Sequence, residues 1–347
     1  MRLVRLLSIT GAVLLVAGAA AAAAIWFAAA RTIEHEVRAW ADESHGGYAV
    51  HVGKVAVTGF PTRLVATLDE VSVTSEQLAL RYDTDRILIA RDVQGGPTTF
   101  SMPAPQTITL ESGTTFRLAA AQFGGSLRQR DDGTYGGFSL DISGAALDVM
   151  ELPLARAQRL VFQVAFPKGD ALVPDSTRAS LRLDQVAIPS QRRGPFGDTV
   201  QQVLANFELD GAIAGFPLGP ALTAWQSAGR LYVSDGAIRW GTLDASPFGG
   251  NLRLDRSLRP AGWLDIVFKD PRPTFEALAA ADWIDQAARL ELINGTAYDP
   301  NRKLVKPYRV TFLDGKVVID DIEQDQTAPI SLWTLPSLSP RRNADTR

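Results

Sequence analysis

The chain has 347 residues, 46% of them hydrophobic and 21% charged, a balance that indicates a folded body and excludes disorder for most of its length. Lys and Arg (35) nearly match Asp and Glu (38), so the basic footprint of a nucleic-acid binder is missing. Cysteine is absent, which excludes disulfides and thiolate-bound metals, and the three histidines (His35, His45, His51) fall together behind the first apolar run, a poor distribution for a zinc site.

The first element is Leu6 to Ala30, twenty-five residues without a charge, preceded by Arg2 and Arg5 and followed by Arg31. A helix of that length reaches about 37 Å, enough to cross a hydrocarbon core of about 30 Å with some tilt. A cleavable signal peptide has a shorter apolar run and a small-residue cleavage site, which Ala28-Ala29-Ala30 would supply. The length of the run, with Trp26-Phe27 where an interfacial aromatic belt lies, favours an uncleaved signal anchor over residues 1–30. Either reading exports the body that follows, while the remaining alternative is a buried Ala-rich helix of a soluble protein. Residues 31–44 keep a helical pattern, with Ile33, Val37, Trp40 and Ala41 on one face. They predict a stalk over 31–46 that continues the anchor helix out of the membrane and ends at Gly46-Gly47.

From Tyr48 the period changes to two. A first β-rich half, 47–168, begins with Tyr48–Val52, Lys54–Val57 and Arg63–Val73 and continues in short runs to Met150. Gly95-Gly96-Pro97, Ser112-Gly113 and Asp131-Asp132-Gly133 punctuate it, and connections this short specify an antiparallel meander. A loop at Phe166–Asp170 opens a second β-rich half, 169–336, with helices predicted at 196–207, 220–227 and 273–293, the last broken near Asp282. A hairpin over Tyr308–Ile319 and a disordered tail, 337–347, complete the chain. The expected fold is mainly β with a few helices. It has an N-terminal transmembrane helix, then an elongated, curved antiparallel sheet, a candidate groove, covered in part by helices of the second half.

Two patterns recur. Gly59-Phe60-Pro61 is matched by Gly215-Phe216-Pro217, and Phe123-Gly124-Gly125-Ser126-Leu127-Arg128 by Phe248-Gly249-Gly250-Asn251-Leu252-Arg253. In each Gly-Phe-Pro, glycine relieves a bend, proline ends ladder pairing, and the phenylalanine between them is expected to anchor a structural corner in the core. Recurrence by chance in a Gly-rich β protein competes with a repeated ladder unit. No Gly-x-Ser-x-Gly elbow, Walker loop or dinucleotide fingerprint is present. The acidic pairs Asp131-Asp132 and Asp320-Asp321 read as solvated turn charge, and Arg192-Arg193 as a surface loop. Trp225, Tyr232, Trp240, Trp263 and Trp283 read as core, with an apolar lining as the alternative.

The uncharged anchor, the Gly59-Phe60-Pro61-Thr62-Arg63 element between strands, and a second-half signature together carry a resemblance. That signature includes Trp225, Ala228-Gly229-Arg230-Leu231-Tyr232-Val233, Ile238-Arg239-Trp240-Gly241-Thr242-Leu243, Gly249-Gly250-Asn251-Leu252-Arg253-Leu254-Asp255 and Arg259-Pro260-Ala261-Gly262-Trp263-Leu264. The chain resembles the alphaproteobacterial envelope family catalogued as domain of unknown function 2125, and its Gly-x-Leu ladder is similar to AsmA-like proteins. The latter similarity implies inner-membrane anchoring, a β-rich periplasmic body and a part in phospholipid transport or outer-membrane maintenance. The expectation is an inner-membrane-anchored periplasmic protein, not an enzyme and without a cofactor, that binds or shields phospholipid acyl chains. Its candidate lining is Val161, Val164, Phe166, Trp225, Trp240 and Trp263. The alternative is an assembly adaptor that binds an envelope protein partner through its sheet edges.

Overall fold

The computed structural model describes residues 26–28, 30–41, 47–76, 79–93, 95–166, 177–188, 194–210, 229–254, 260–295, 307–313, 316–320 and 322–323. The predicted anchor therefore lies outside the described residues except at 26–28 and 30, as do the 220–227 segment, Gly215-Phe216-Pro217 and the tail. Among the described residues no helix is long and apolar enough to cross a membrane. The fold is mainly β, antiparallel, with few helices. The chain divides into two compact units between Leu152 and Pro153. This is earlier than the loop at Phe166, because β9 (Leu152–Ala165) pairs forward with β10 (Thr177–Ala187).

The first unit holds helix α1 (residues 26–28 and 30–41) and eight strands. These are β1 (Tyr48–Thr58), β2 (Arg63–Ser75), β3 (Leu80–Asp92), β4 (Thr98–Ser101), β5 (Gln106–Leu110), β6 (Thr115–Ala119), β7 (Gln122–Gln129) and β8 (Tyr135–Val149). β1, β2 and β3 pair in sequence. β4 and β5 then share β3, and their partners β7 and β6 share β8. The result is a meander of long antiparallel rows, two of which are interrupted, at 102–105 and 120–121. Pro103 and Pro105 cannot donate to a ladder, which accounts for the first interruption.

One face of this unit is apolar. Val55, Leu68 and Val71 form its buried cluster, with Val52, Ile87 and Ile89 against them. Val71 and Leu68 are three residues apart and would face opposite sides of a regular strand. Glu70 between them has φ +55 and shifts the phase, so both reach the same face. The reading that stopped one strand at Val52 and restarted at Lys54 met this same distortion from the other side, since β1 runs unbroken through both.

Helix α1 is not a free stalk, because it lies along the apolar face. Its Val37 packs on the Val55–Leu68 cluster, and its Trp26 donates an indole N–H to the Arg63 carbonyl at 3.1 Å. From Trp26 to Val37 the helix rises about 16 Å, and from Arg63 to Leu68 a strand advances about 16 Å, so the two contacts fit a helix running alongside β2. The Gly59-Phe60-Pro61 corner is the β1–β2 turn, closed by Arg63 N–H donating to the Gly59 carbonyl at 3.0 Å. Gly59 has φ +100, and a Cβ there would collide with the Arg63 backbone, so the turn requires glycine. Phe60 does not anchor the bend in the core, since it is 48% exposed and meets only the rings of Trp26 and Phe27 in aromatic contact.

The second unit is a plain meander. β9 and β10 are followed by β11 (Thr199–Asp210), β12 (Arg230–Trp240), β13 (Leu243–Leu254) and β14 (Pro260–Phe268), each antiparallel to the last. Helices α2 (Pro271–Ala280) and α3 (Gln286–Gly295) intervene before β15 (Tyr308–Leu313), β16 (Lys316–Ile319) and β17 (Ile322–Glu323). Asp270 caps α2, and Asp285 accepts from Ala288 N–H at the start of α3. Asp282, at φ +58, separates the two helices. Phe275, Ala279, Ile284, Ala288 and Leu292 pack from the helices onto Ala245, Phe268 and Tyr308 of the sheet. The rings of Phe268, Phe275 and Tyr308 meet at 5.1–5.5 Å. The Tyr308 hydroxyl donates to the Leu292 carbonyl at 3.1 Å, tying β15 to α3.

One prediction from sequence is overturned here. Residues 196–207 are not a helix, for Thr199–Asp210 is the central strand β11. Its apolar positions Val200, Val203, Leu204 and Phe207 mimic a helical stripe because a register shift between Val200 and Gln202 puts Val200 and Val203 on one face, while Leu204 stands opposite Arg182 on the other. The Phe-Gly-Gly echo has a physical content. Gly125 on β7 and Gly250 on β13 occupy like places in the β7–β8 and β13–β14 hairpins, where a Cβ would strike the carbonyl of Ser139 or Trp263 on the next strand.

Tyr82 stands on the apolar face of the first unit, opposite Val73. Tyr82 hydrogen-bonds Gln106 Oε1, and burial pushes its phenol from the ordinary 10.0 up to about 12. The unfolded chain releases this proton first, so the contribution of Tyr82 to folding stability is constant below pH 10.0 and falls as pH climbs to about 12. Tyr82→Phe should remove one step near pH 12 from the phenolate absorbance titration and reduce that fall in alkaline denaturation curves.

Candidate apolar binding face

In the second unit, cross-strand register places apolar residues in continuous rows. Leu160, Leu183, Val203, Ile238, Ala245 and Phe268 stand opposite one another from β9 to β14. The neighbouring row on the same face is Phe162, Leu181, Ala205, Gly236, Phe248, Ile266 and Tyr308. A third is Val164, Ala179, Phe207, Val233, Gly250, Leu264, Val310 and Ile319. Beyond it run Thr177, Leu209, Leu231, Leu252, Gly262, Phe312 and Val317. Along each strand these positions are two apart, except where β12 and β13 shift register, so the four rows share one face.

The intervening rows are polar. Arg159, Asp184, Gln202, Arg239 and Asp244 make one of them. Arg182 holds Asp184 at 2.7 Å, Gln202 donates to the same carboxylate at 3.2 Å, and Arg239 donates to Gln202 at 3.2 Å. The hydrogen bond from Arg182 keeps the Asp184 carboxyl below its usual value. Farther along, Arg309 grips Asp265 with two bonds of 2.8 and 2.9 Å, depresses its pKa likewise, and lies 4.6 Å over the Trp263 ring.

Cover on the apolar face is uneven. The α2–α3 pair packs on β12–β16, where Ala245, Phe268 and Tyr308 are buried. Among the described residues of this unit no helix packs over β9–β11. There Leu160, Phe162, Val164, Leu181, Leu183, Val203, Phe207 and Leu209 are only half-buried. Rows of aliphatic and aromatic side chains in this state supply an apolar surface that excludes water from a ligand and offers no hydrogen bond.

The predicted lining residues do not all meet on this face. Val164 belongs to the third row. Trp240 shares the face but is buried at its margin, donating to the Gly197 carbonyl at 3.1 Å and touching the Phe196 ring edge-on at 5.3 Å. Val161 points the other way, opposite Arg182, and Trp263 sits under Arg309 on the polar face. Phe166 is exposed just past the end of β9, and Trp225 lies outside the described residues. Tyr232 pairs with Glu208 and Asn251 on the polar side, and Trp283 is exposed between the helices, so the tryptophans and this tyrosine are not one core. Leu181, Leu183 and Phe207 escaped the sequence reading as lining residues. Alternation along β10 marks Leu181 and Leu183, but Phe207 stood on the presumed helix.

The family model described as "Uncharacterized protein conserved in bacteria (DUF2125)" matches residues 26–319. The chain belongs to the DUF2125 family. No curated protein and no solved structure matches it. The DUF2125 match opens at Trp26, the residue that ties α1 to the corner, and closes at Ile319, the end of the third apolar row. Among the described residues no group of three or more His, Asp or Glu side chains is placed to hold a metal ion. Asp132 and Asp320 serve turns, the first accepting from Thr134 N–H at 2.9 Å and the second from Arg309 N–H at 2.8 Å.

Half-burial has a measurable cost signature. Leu183→Ala should destabilise the chain by about 1 kcal/mol, against about 3–5 kcal/mol for Phe275→Ala in the helix-covered core. Denaturant unfolding of the two variants checks the difference, and equal losses would mean that β9–β11 is covered as fully as β13.

Proposed function

We propose that this DUF2125 protein is anchored in the inner membrane and exposes its body to the periplasm, where it binds or shields phospholipid acyl chains during envelope biogenesis or maintenance. The observation that carries the reading is the set of four apolar rows crossing the second-unit sheet, over which, among the described residues, helices pack only from β12 onward. Acyl chains need a surface that is apolar, extended and undemanding in geometry, and such rows provide one. The uncharged run Leu6–Ala30 supports the anchoring. The polar face, latticed by Arg182–Asp184 and Arg309–Asp265, suits water. No covalent chemistry is needed, and the residues of the apolar rows offer none.

Two valines one turn of the pleat apart give the test. Val164 faces the apolar rows and Val161 faces Arg182. Phospholipid retained by the purified full-length chain after detergent exchange is measured by mass spectrometry of organic extracts. Wild type and Val161→Glu should carry it, whereas Val164→Glu should lose about tenfold or more, because an unpaired carboxylate against acyl chains costs well over 1.4 kcal/mol. Circular dichroism checks that both variants fold. A lipid-free wild type contradicts the proposal and favours an adaptor that uses its sheet edges.

A further inference from the structure

The β1–β2 corner and the start of α1 form an exposed aromatic patch that no packing within the first unit explains. Phe27 is 57% exposed and Phe60 48%, and the two rings stack 6.2 Å apart with an interplanar angle of 16°. The patch is rigidly built. Trp26 is buried between them, edge-on to both rings, and its indole N–H is fixed on the Arg63 carbonyl. Val93, 52% exposed, joins them, its N–H donating to the Thr62 carbonyl at 3.0 Å. Phenylalanine rings have no polar group to satisfy in water, so a fixed, exposed pair is a surface made to meet something apolar.

Its position in the chain says what that is. Trp26 and Phe27 stand near the end of the twenty-five-residue uncharged run Leu6–Ala30, and the first charge after it, Arg31, is exposed on the next turn of α1. α1 runs away from the corner along β2, so the corner is the end of the first unit at which the uncharged run enters. Exposed acids do not set this end apart, since Asp92, Asp131 and Asp132 stand in its turns as Glu76, Glu111 and Glu151 do at the opposite end; the exposed, stacked phenylalanine rings do. We infer that the corner end of the first unit is a membrane-docking tip, with Phe27, Phe60 and Val93 seated in the interfacial layer of a phospholipid bilayer and Arg31 at headgroup depth. Aromatic rings and Arg side chains are enriched at that depth. The inference rests on the membrane anchoring proposed above and adds that the folded body lies against the bilayer.

The absence of cysteine allows a direct test. The full-length chain carrying Phe60→Cys, or Ser112→Cys in the exposed turn at the opposite end, is labelled with an environment-sensitive dye. It is reconstituted into phosphatidylcholine–phosphatidylglycerol vesicles that contain a lipid spin-labelled near the headgroup. Val93→Cys gives a second reporter at the tip should Phe60→Cys fold poorly. The tip dyes should be quenched several-fold more than the dye at position 112. Equal quenching, or none at the tip while the chain floats with the vesicles, overturns docking and leaves anchoring intact. A chain that does not float with vesicles at all overturns the anchoring, and docking with it.

Discussion

The structure of each unit depends on one constraint, that an antiparallel meander with alternating residues has one apolar and one polar face, and the apolar one must be kept from water. In the first unit α1 answers this over β1–β3, through Val37 and Trp26. In the second, α2 and α3 answer it over β12–β16, through Phe275, Ala279 and Leu292. A helix pair is wide enough for only a few strands, since adjacent strands are about 4.8 Å apart and a helix about 10 Å across. Among the described residues the rows on β9–β11 therefore continue beyond the helical cover, and each half-exposed Leu or Phe forgoes about 1 kcal/mol of the burial it would otherwise gain.

Such a surface is retained at a cost in stability, which is the usual mark of a surface used in binding. Its chemistry is undirected: the rows contain no charged side chain, and the carboxylates and guanidiniums of the same strands are paired with one another on the other face, as in Arg182–Asp184 and Arg309–Asp265. That separation suits a ligand recognised by its apolar length rather than by any one polar group.

How much of this was legible beforehand follows from the same geometry. Alternation alone identified the strands around Leu181, Val233 and Leu264, and the helical stripe through Phe275 and Leu292 identified the cover. The strand β11 was misread because a register shift between Val200 and Gln202, with Leu204 apolar on the opposite face, gave its apolar positions the spacing of a helix. β2 was read correctly over Arg63–Val73, and the phase change at Glu70, where φ turns positive, lies opposite the point at which β1 was read as two runs. The lining failed differently. Trp240 and Trp263 look alike in sequence, and only the pairing Asn251–Trp263 and the guanidinium of Arg309 show that the second faces away. Phe60 was recognised as a corner residue, yet its partners, Trp26 and Phe27, belong to a segment read as membrane anchor, and no local pattern joins residues so far apart.

The central claim, that the half-buried rows of β9–β11 receive acyl chains, is tested most directly by photocrosslinking. The full-length chain is reconstituted with a phospholipid bearing a diazirine in its acyl chain, irradiated, and mapped by peptide mass spectrometry. The account predicts adducts on Phe162, Leu181, Leu183 and Phe207, and none on Arg178, Arg182 or Glu208 of the same strands. Adducts shared evenly between the two faces, or absent from β9–β11 altogether, would contradict it.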